Sequence, residues 1–208
     1  MSLFGFCGVP ARSMEMPGPN IGIRLPISEA ADRIFVQIPE DTDTPRAWVG
    51  QIIEDKQGFL WFGTRDGLDR YDGYQFRHYP ADPSDERSLS SAYVYALRND
   101  ASGRIWIGAD NFLNYFDPST ETFHRFSAPP SMLGGFIKSI DLDREGTLWF
   151  STSHGLTRYD PADGKLTRYQ HDPNSPSTLG SNLLRSTLEA KDGTFWVATN
   201  LSVEAFDR

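Results

Sequence analysis

The stretch Gly58-Phe59-Leu60-Trp61-Phe62-Gly63-Thr64, followed by Gly67-Leu68-Asp69-Arg70-Tyr71-Asp72, recurs three more times along the chain. Its counterparts are 103–109 with Leu113, Phe116 and Asp117; 146–152 with Gly155, Leu156, Tyr159 and Asp160; and 193–199 with Val203, Phe206 and Asp207. Relative to Trp61, Trp106, Trp149 and Trp196, a glycine stands at −3, an aliphatic residue at +7, an aromatic at +10 and an aspartate at +11. The tryptophans are 45, 43 and 47 residues apart. Self-similarity at a period of this size marks a repeat architecture, in which each unit buries its apolar faces only against its neighbours.

Each copy parses into four short strands. In the first, 49–53 is apolar and β-rich, and Glu54-Asp55-Lys56-Gln57-Gly58 is a turn closed by glycine. The tryptophan strand follows at 59–64, with Leu60 and Phe62 on one face and Trp61 on the other. A tight turn at Arg65-Asp66-Gly67 leads into 68–71, Asp72-Gly73 signals a hairpin, and Phe76-Arg77-His78-Tyr79 completes the unit. The second and third copies end on Phe123-His124-Arg125-Phe126 and Leu166-Thr167-Arg168-Tyr169. Polar connectors at 80–91, 127–135 and 170–182 join one copy to the next. Four antiparallel strands at a mid-forties period describe one blade of a β-propeller, whereas a helical solenoid would need a rhythm of about 3.6 residues. The predicted fold is all-β, a propeller with about four blades, at approximately 48–79, 92–126, 136–169 and 183–208, the last incomplete.

Residues 1–30 carry Gly, Pro, Ser and Met without periodicity and read as a disordered leader, with the partial propeller spanning 31–208. Ile34-Phe35-Val36-Gln37-Ile38 has the form of an outer strand, and the fourth copy stops at Phe206-Asp207-Arg208, before an outer strand of its own. Two arrangements follow. Either the N-terminal strand closes the fourth sheet of a four-bladed ring, or the chain is the leading part of a propeller of about seven blades. The second is preferred, because an open half-ring leaves an exposed strand edge at each end.

Composition narrows the function by exclusion. A formal charge of −8 and a pI near 4.9 argue against nucleic-acid binding and against charge-driven docking on an anionic membrane. Cys7 is the single cysteine, so no internal disulfide or cysteine-rich metal site can form. No run approaches the roughly 18 apolar residues of a membrane span, so membrane attachment is expected only through segments outside this chain. The apolar stretch at 3–9 has no basic residue ahead of it and fits a secretory signal poorly. His78, His124, His154 and His171 fall at different repeat positions without H-x-x-x-H spacing, so neither metal nor cofactor is expected. With no Gly-x-Ser-x-Gly and no convergent carboxylate pair, a lyase or hydrolase is disfavoured and the chain is read as non-catalytic.

The pattern D-x-x-G-x-L-W-[IF]-G-T-x-x-G-L-x-R-Y-D, matched almost letter for letter by residues 55–72, resembles the two-component regulator propeller repeat. The approaches Ser88-Leu89-Ser90-Ser91-Ala92-Tyr93-Val94 and Ser177-Thr178-Leu179-Gly180-Ser181-Asn182 are similar to that family as well. Departures are local: Phe112 and Ser202 replace the second glycine, Ala109 replaces Thr, and Ala190 replaces the first Asp. The resemblance implies the sensor portion of a bacterial signalling protein, on the periplasmic side of the inner membrane. It implies a parent with a membrane helix and an output domain, usually a histidine kinase and sometimes a diguanylate cyclase. Expected partners are an oligosaccharide or other small ligand, and a second copy through the propeller. A stand-alone interaction scaffold, as a small ring or an oligomer of half-rings, is the alternative.

Trp61, Trp106, Trp149 and Trp196 are expected as core between blades, since bodies this large are mostly buried in such settings. Trp48 precedes the first inner strand and is not placed by the pattern. The aspartate at +11 recurs at one turn in every copy, which points to turn chemistry rather than catalysis. Recognition is expected where neighbours repeat but the turn between second and third strands varies: Arg65-Asp66, Asp110-Asn111, Ser153-His154 and Asn200-Leu201. In a propeller these turns ring the mouth of the central channel. The candidate ligand-binding residues are therefore Arg65, Asp66, Asp110, Asn111, Ser153, His154 and Asn200.

Overall fold

A computed structural model describes residues 48–110, 112–126, 133 and 135–206. The leader at 1–30, the strand expected at 34–38, Asn111 and Asp207 lie outside that set. Fifteen strands form among the described residues, in three sheets of four strands and one of three. The first sheet holds β1 (Val49–Glu54), β2 (Leu60–Thr64), β3 (Leu68–Tyr71) and β4 (Phe76–Tyr79). The second holds β5 (Val94–Asn99), β6 (Ile105–Ala109), β7 (Leu113–Asp117) and β8 (Thr122–Arg125). The third holds β9 (Ile137–Leu142), β10 (Leu148–Thr152), β11 (Gly155–Asp160) and β12 (Lys165–Tyr169). The fourth holds β13 (Leu184–Glu189), β14 (Phe195–Thr199) and β15 (Val203–Phe206). Within each sheet the strands lie in chain order and pair antiparallel, as in a β-propeller blade.

The first strands β1, β5, β9 and β13 lie side by side, so they are the inner strands and the sheets radiate from them. Alternation then decides what each sheet shows its neighbours. In β2, Trp61 and Gly63 point forward to the second sheet, while Leu60 and Phe62 point back. The second sheet meets Trp61 with Leu97, Ile105, Ile107 and Phe116, all buried, and the Phe116 ring lies 4.9 Å from the Trp61 ring. The junction repeats with Trp106 against Tyr159 and Trp149 against Phe195. A small residue after each of the first two tryptophans lets inner strands close up. A Cβ on Gly63 would stand 2.8 Å from Val94, and one on Gly108 would stand 2.6 Å from Ile137.

The aspartate six residues before Trp61, Trp106 and Trp149 ties each junction to its turn. Asp55, Asp100 and Asp143 each accept the indole N–H through one carboxylate oxygen, at 2.7, 3.0 and 2.9 Å. The other oxygen accepts two backbone N–H groups of the turn, those of Gln57 and Phe59 in the first sheet. All three are buried, where an acceptor with every partner satisfied stabilises and a missing one is expensive. Burial opposes the charge of Asp100, but hydrogen bonds from Ser102, Trp106 and Arg104 outweigh it and hold its carboxyl below the usual carboxylate range.

The tryptophans at 61, 106 and 149 are 1–2% exposed, as expected of core. Trp196 departs from that expectation at 40%, because among the described residues no sheet stands in front of it. Ala190 also takes the place of the aspartate there, so no carboxylate is positioned for its indole. The aspartates at +11 act as turn residues in the three described copies. Asp72 accepts the N–H groups of Tyr74 and Gln75, Asp117 that of Ser119, and Asp160 that of Ala162.

The approach segments act as plugs. Leu89 and Leu179 are buried in the first and third junction cores. Ser88 and Thr178 fold the connectors by accepting the N–H groups of Asp82 and Asp172 on their hydroxyls.

Candidate functional site

Register places the described candidate residues at one end of the molecule. The start of each inner strand pairs with the end of the second strand: Val49 with Thr64, Val94 with Ala109, Ile137 with Thr152, and Leu184 with Thr199. The turns after β2, β6, β10 and β14 therefore share one end of the molecule with the inner-strand starts. The connectors come off the same end, since Tyr79, the last residue of β4, pairs with Leu68, the first of β3. Every pairing of β1, β5, β9 and β13 with its neighbour shows a register shift near this end, a bulge of the sort that re-aims side chains at a rim.

On this rim the turn residues are distributed around the axis rather than gathered in one pocket. Arg65 and Asp66 are exposed; the Asp66 N–H donates to the Thr64 hydroxyl, and the Arg65 guanidinium lies 5.3 Å from the centre of the Trp48 ring. Asp110 bridges to Phe136 of the third sheet through backbone pairing. Ser153 and exposed His154 are within hydrogen-bond distance of each other at 3.1 Å, and the His154 carbonyl accepts from Arg168 and from Gln170. Asn200 is exposed; its side chain accepts the Ser181 hydroxyl and its N–H donates to the Leu183 carbonyl.

Sequence reasoning missed what stands among these polar turns. Thirteen residues before each tryptophan is a large apolar side chain, Trp48, Tyr93, Phe136 or Leu183, at the residue before the inner strand. These four are 47, 46, 40 and 49% exposed, so the position is not core in any copy. Tyr95, just inside β5, joins three of them into a row. Its ring is 5.7 Å from Trp48, 6.4 Å from Tyr93 and 5.4 Å from Phe136. The signal was present in the repeat alignment, since a bulky apolar residue recurs at −13 without a burial role that the strand alternation assigns it.

The opposite end offers less. A cavity of about 580 Å³ opens there, lined by Asp55, Lys56, Ser102, Arg104 and Asp117 among others. Its polar groups are already engaged: Asp55 with Trp61 and its turn, Arg104 with Asp100 at 2.7 Å, and Asp117 with Ser119. Among the described residues no three His, Cys, Asp or Glu side chains gather as metal ligands would.

Residues 40–66 and 88–111 match the profile of the two-component regulator propeller family. A 39-residue stretch, 19% of this chain and 3% of the relative, is 51% identical to histidine kinase P4 of Formosa agariphila. The fold matches the extracellular domain of the hybrid two-component system BT4673 from B. thetaiotaomicron with a TM-score of 0.67 and 25% identity, over 78% of this chain and 22% of that one. The extracellular domain of the hybrid two-component system BT3049 from the same organism matches with a TM-score of 0.65 and 26% identity, over 77% and 25%. The chain thus spans between a fifth and a quarter of the solved domains it resembles. Two of the four tryptophan-centred units, those of Trp61 and Trp106, fall in the stretches that match the two-component regulator propeller family.

Proposed function

We propose that this propeller is the ligand-sensing part of a bacterial two-component-type signalling protein, exposed in the periplasm, and that it recognises its ligand on the aromatic rim. The observation that carries the reading is the row Trp48–Tyr95–Phe136 with Tyr93, half-exposed beside the polar turns at Arg65-Asp66 and Asp110. Aromatic faces offer large, rigid contact area, and flanking polar groups fix orientation. A ligand with apolar ring faces and a hydroxylated edge, such as an oligosaccharide, fits that combination. The similarity to extracellular domains of hybrid two-component systems supports the same class of role and compartment. Catalysis is assigned to output domains of such systems, not to the propeller. For a signal to pass, the ligand must bind one arrangement of the protein more tightly than another.

Titration of the purified chain with a panel of plant and host oligosaccharides, followed by calorimetry and by the fluorescence of Trp48, tests the reading. Trp48→Ala or Tyr93→Ala is expected to weaken a binding sugar at least tenfold, ~1.4 kcal/mol. Binding left intact by both substitutions would remove the rim from the site, and no binding across the panel would remove the sugar.

A further inference from the structure

The bulges at the start of the inner strands carry a chemistry of their own. In each strand the pairing skips one residue: Gly50 between Val49 and Gln51, Tyr95 between Val94 and Ala96, Lys138 between Ile137 and Ser139, and Arg185 between Leu184 and Ser186. A skipped residue leaves the alternation between the two packed faces, and its side chain is free to turn toward the rim. Tyr95 does so, since its ring meets Trp48 of the first sheet and Phe136 of the third. At Gly50 a Cβ would stand 2.7 Å from the Trp48 ring, so the indole takes the place of a side chain there. The rim is therefore aromatic at the first and second sheets and cationic at the third and fourth, where Lys138 and Arg185 are exposed. Neither cation pairs with a carboxylate among the described residues, whereas Arg70, Arg104 and Arg158 do. Arg65, exposed beside Trp48, likewise has no carboxylate partner among them. The inner strands of the second and third sheets each have a neighbour on both sides, so Tyr95 and Lys138 do not owe their placement to an end of the row.

We propose that the ligand of this rim is an acidic oligosaccharide, with sugar rings lying on Trp48 and Tyr95 and a carboxylate or sulfate group held by Lys138. Arg65 and Arg185 are the further cationic contacts. The inference rests on the aromatic rim being the ligand site and adds the charge of what binds there. The row Trp48–Tyr95–Phe136 runs toward Lys138, which lies two residues past Phe136, so a ligand stacked along the row ends beside an ammonium group. Rings supply contact area without regard to charge, whereas an ammonium or guanidinium hydrogen-bonds an anion roughly twice as strongly as a neutral acceptor. In a chain of formal charge −8, unpaired cations gathered at one rim single out a place where an anion is welcome. The turn acids Asp66 and Asp110 stand outside the bulge positions.

Calorimetric titration of the full chain with three probes of matched length tests this: an oligogalacturonate, a sulfated galactan oligosaccharide and a neutral galactan oligosaccharide. One acidic probe is expected to bind about tenfold or more tighter than the neutral one, and which of the two does so tells carboxylate from sulfate. High salt is expected to weaken the acidic probe and leave the neutral one unchanged. Lys138→Glu is expected to weaken the acidic probe about tenfold or more, with unchanged far-ultraviolet circular dichroism. Lys138→Gln, which removes the charge without reversing it, replaces that variant if its strand signal changes. A neutral probe that binds as tightly as the acidic ones, and is lost in Trp48→Ala but not in Lys138→Glu, keeps the rim as the site and overturns the acidic ligand. Acidic binding that ignores Trp48→Ala overturns the rim and this inference together, as does the absence of binding by all three probes.

Discussion

Trp149 and Trp196 hold the same place in the third and fourth sheets, yet they live in different surroundings. Trp149 is 1% exposed, packs 4.6 Å from the Phe195 ring and donates its indole N–H to Asp143. Trp196 is 40% exposed and has Ala190 where the aspartate would be. Identical strand chemistry therefore does not make a residue core; the facing sheet does. Truncating the two tests this directly and should give the largest contrast. Trp149→Ala is expected to destabilise by about 3–5 kcal/mol, as large-to-small changes in filled cores do. Trp196→Ala should stay within about 1 kcal/mol, since little packing is lost at a half-open face. Urea midpoints at constant slope read both. Comparable losses at the two sites would mean that the forward face of the fourth sheet is covered in solution.

The aspartate sharpens the same contrast at a smaller scale. Asp143→Ala removes the acceptor of a buried indole and of the turn N–H groups of Glu145 and Thr147. A loss of about 2–3 kcal/mol is expected, because unsatisfied buried donors remain behind. The reverse change in the fourth sheet, Ala190→Asp, offers Trp196 the missing acceptor. It should raise stability by only about 0.5–1 kcal/mol, as that indole is half-exposed and the turn is already capped by Asp192 through the Thr194 N–H. Thermal melts of the two variants check the asymmetry.

Much of the architecture was legible in the sequence because a repeat reports each feature four times. The strands of the first sheet appear where alternation put them, and the recurrence of Asp72, Asp117 and Asp160 at one turn identified their backbone-capping role. Exposure of Trp196 was not legible, since it depends on what faces the sheet and not on the strand itself. The rim was legible only in part. Variable turn residues such as Arg65, Asp66 and Asn200 stand out by contrast with neighbours that recur from copy to copy, and they lie at the end where the inner strands start. Trp48, Tyr93 and Phe136 escaped because a bulky apolar residue before a β-rich strand looks like the strand's own core. In the second and third sheets the bulge at the start of the inner strand, a feature of register rather than of composition, accompanies the step from the exposed Tyr93 and Phe136 to the buried Val94 and Ile137.

Acid provides the finest version of the comparison. The carboxyl of Asp100 is held below the usual range, so the stability it contributes is fully present above the unfolded carboxylate value of about 3.9 and is lost as pH falls through the lower folded value. Protonation there takes a charged acceptor from the Trp106 indole, the Arg104 side chain and the turn N–H groups of Ser102 and Arg104 at once. In the fourth sheet the carboxyl of Asp192 is also lowered, by the Thr194 N–H and side chain, but it lies in the open. Hydrogen exchange of the two indole N–H groups, followed by NMR from pH 5 downward, should therefore accelerate for Trp106 beyond the intrinsic acid dependence and not for Trp196. Asp100→Asn should abolish the extra acceleration while leaving Trp196 unchanged. Equal acceleration at both indoles would place the acid sensitivity in global unfolding rather than in this carboxylate.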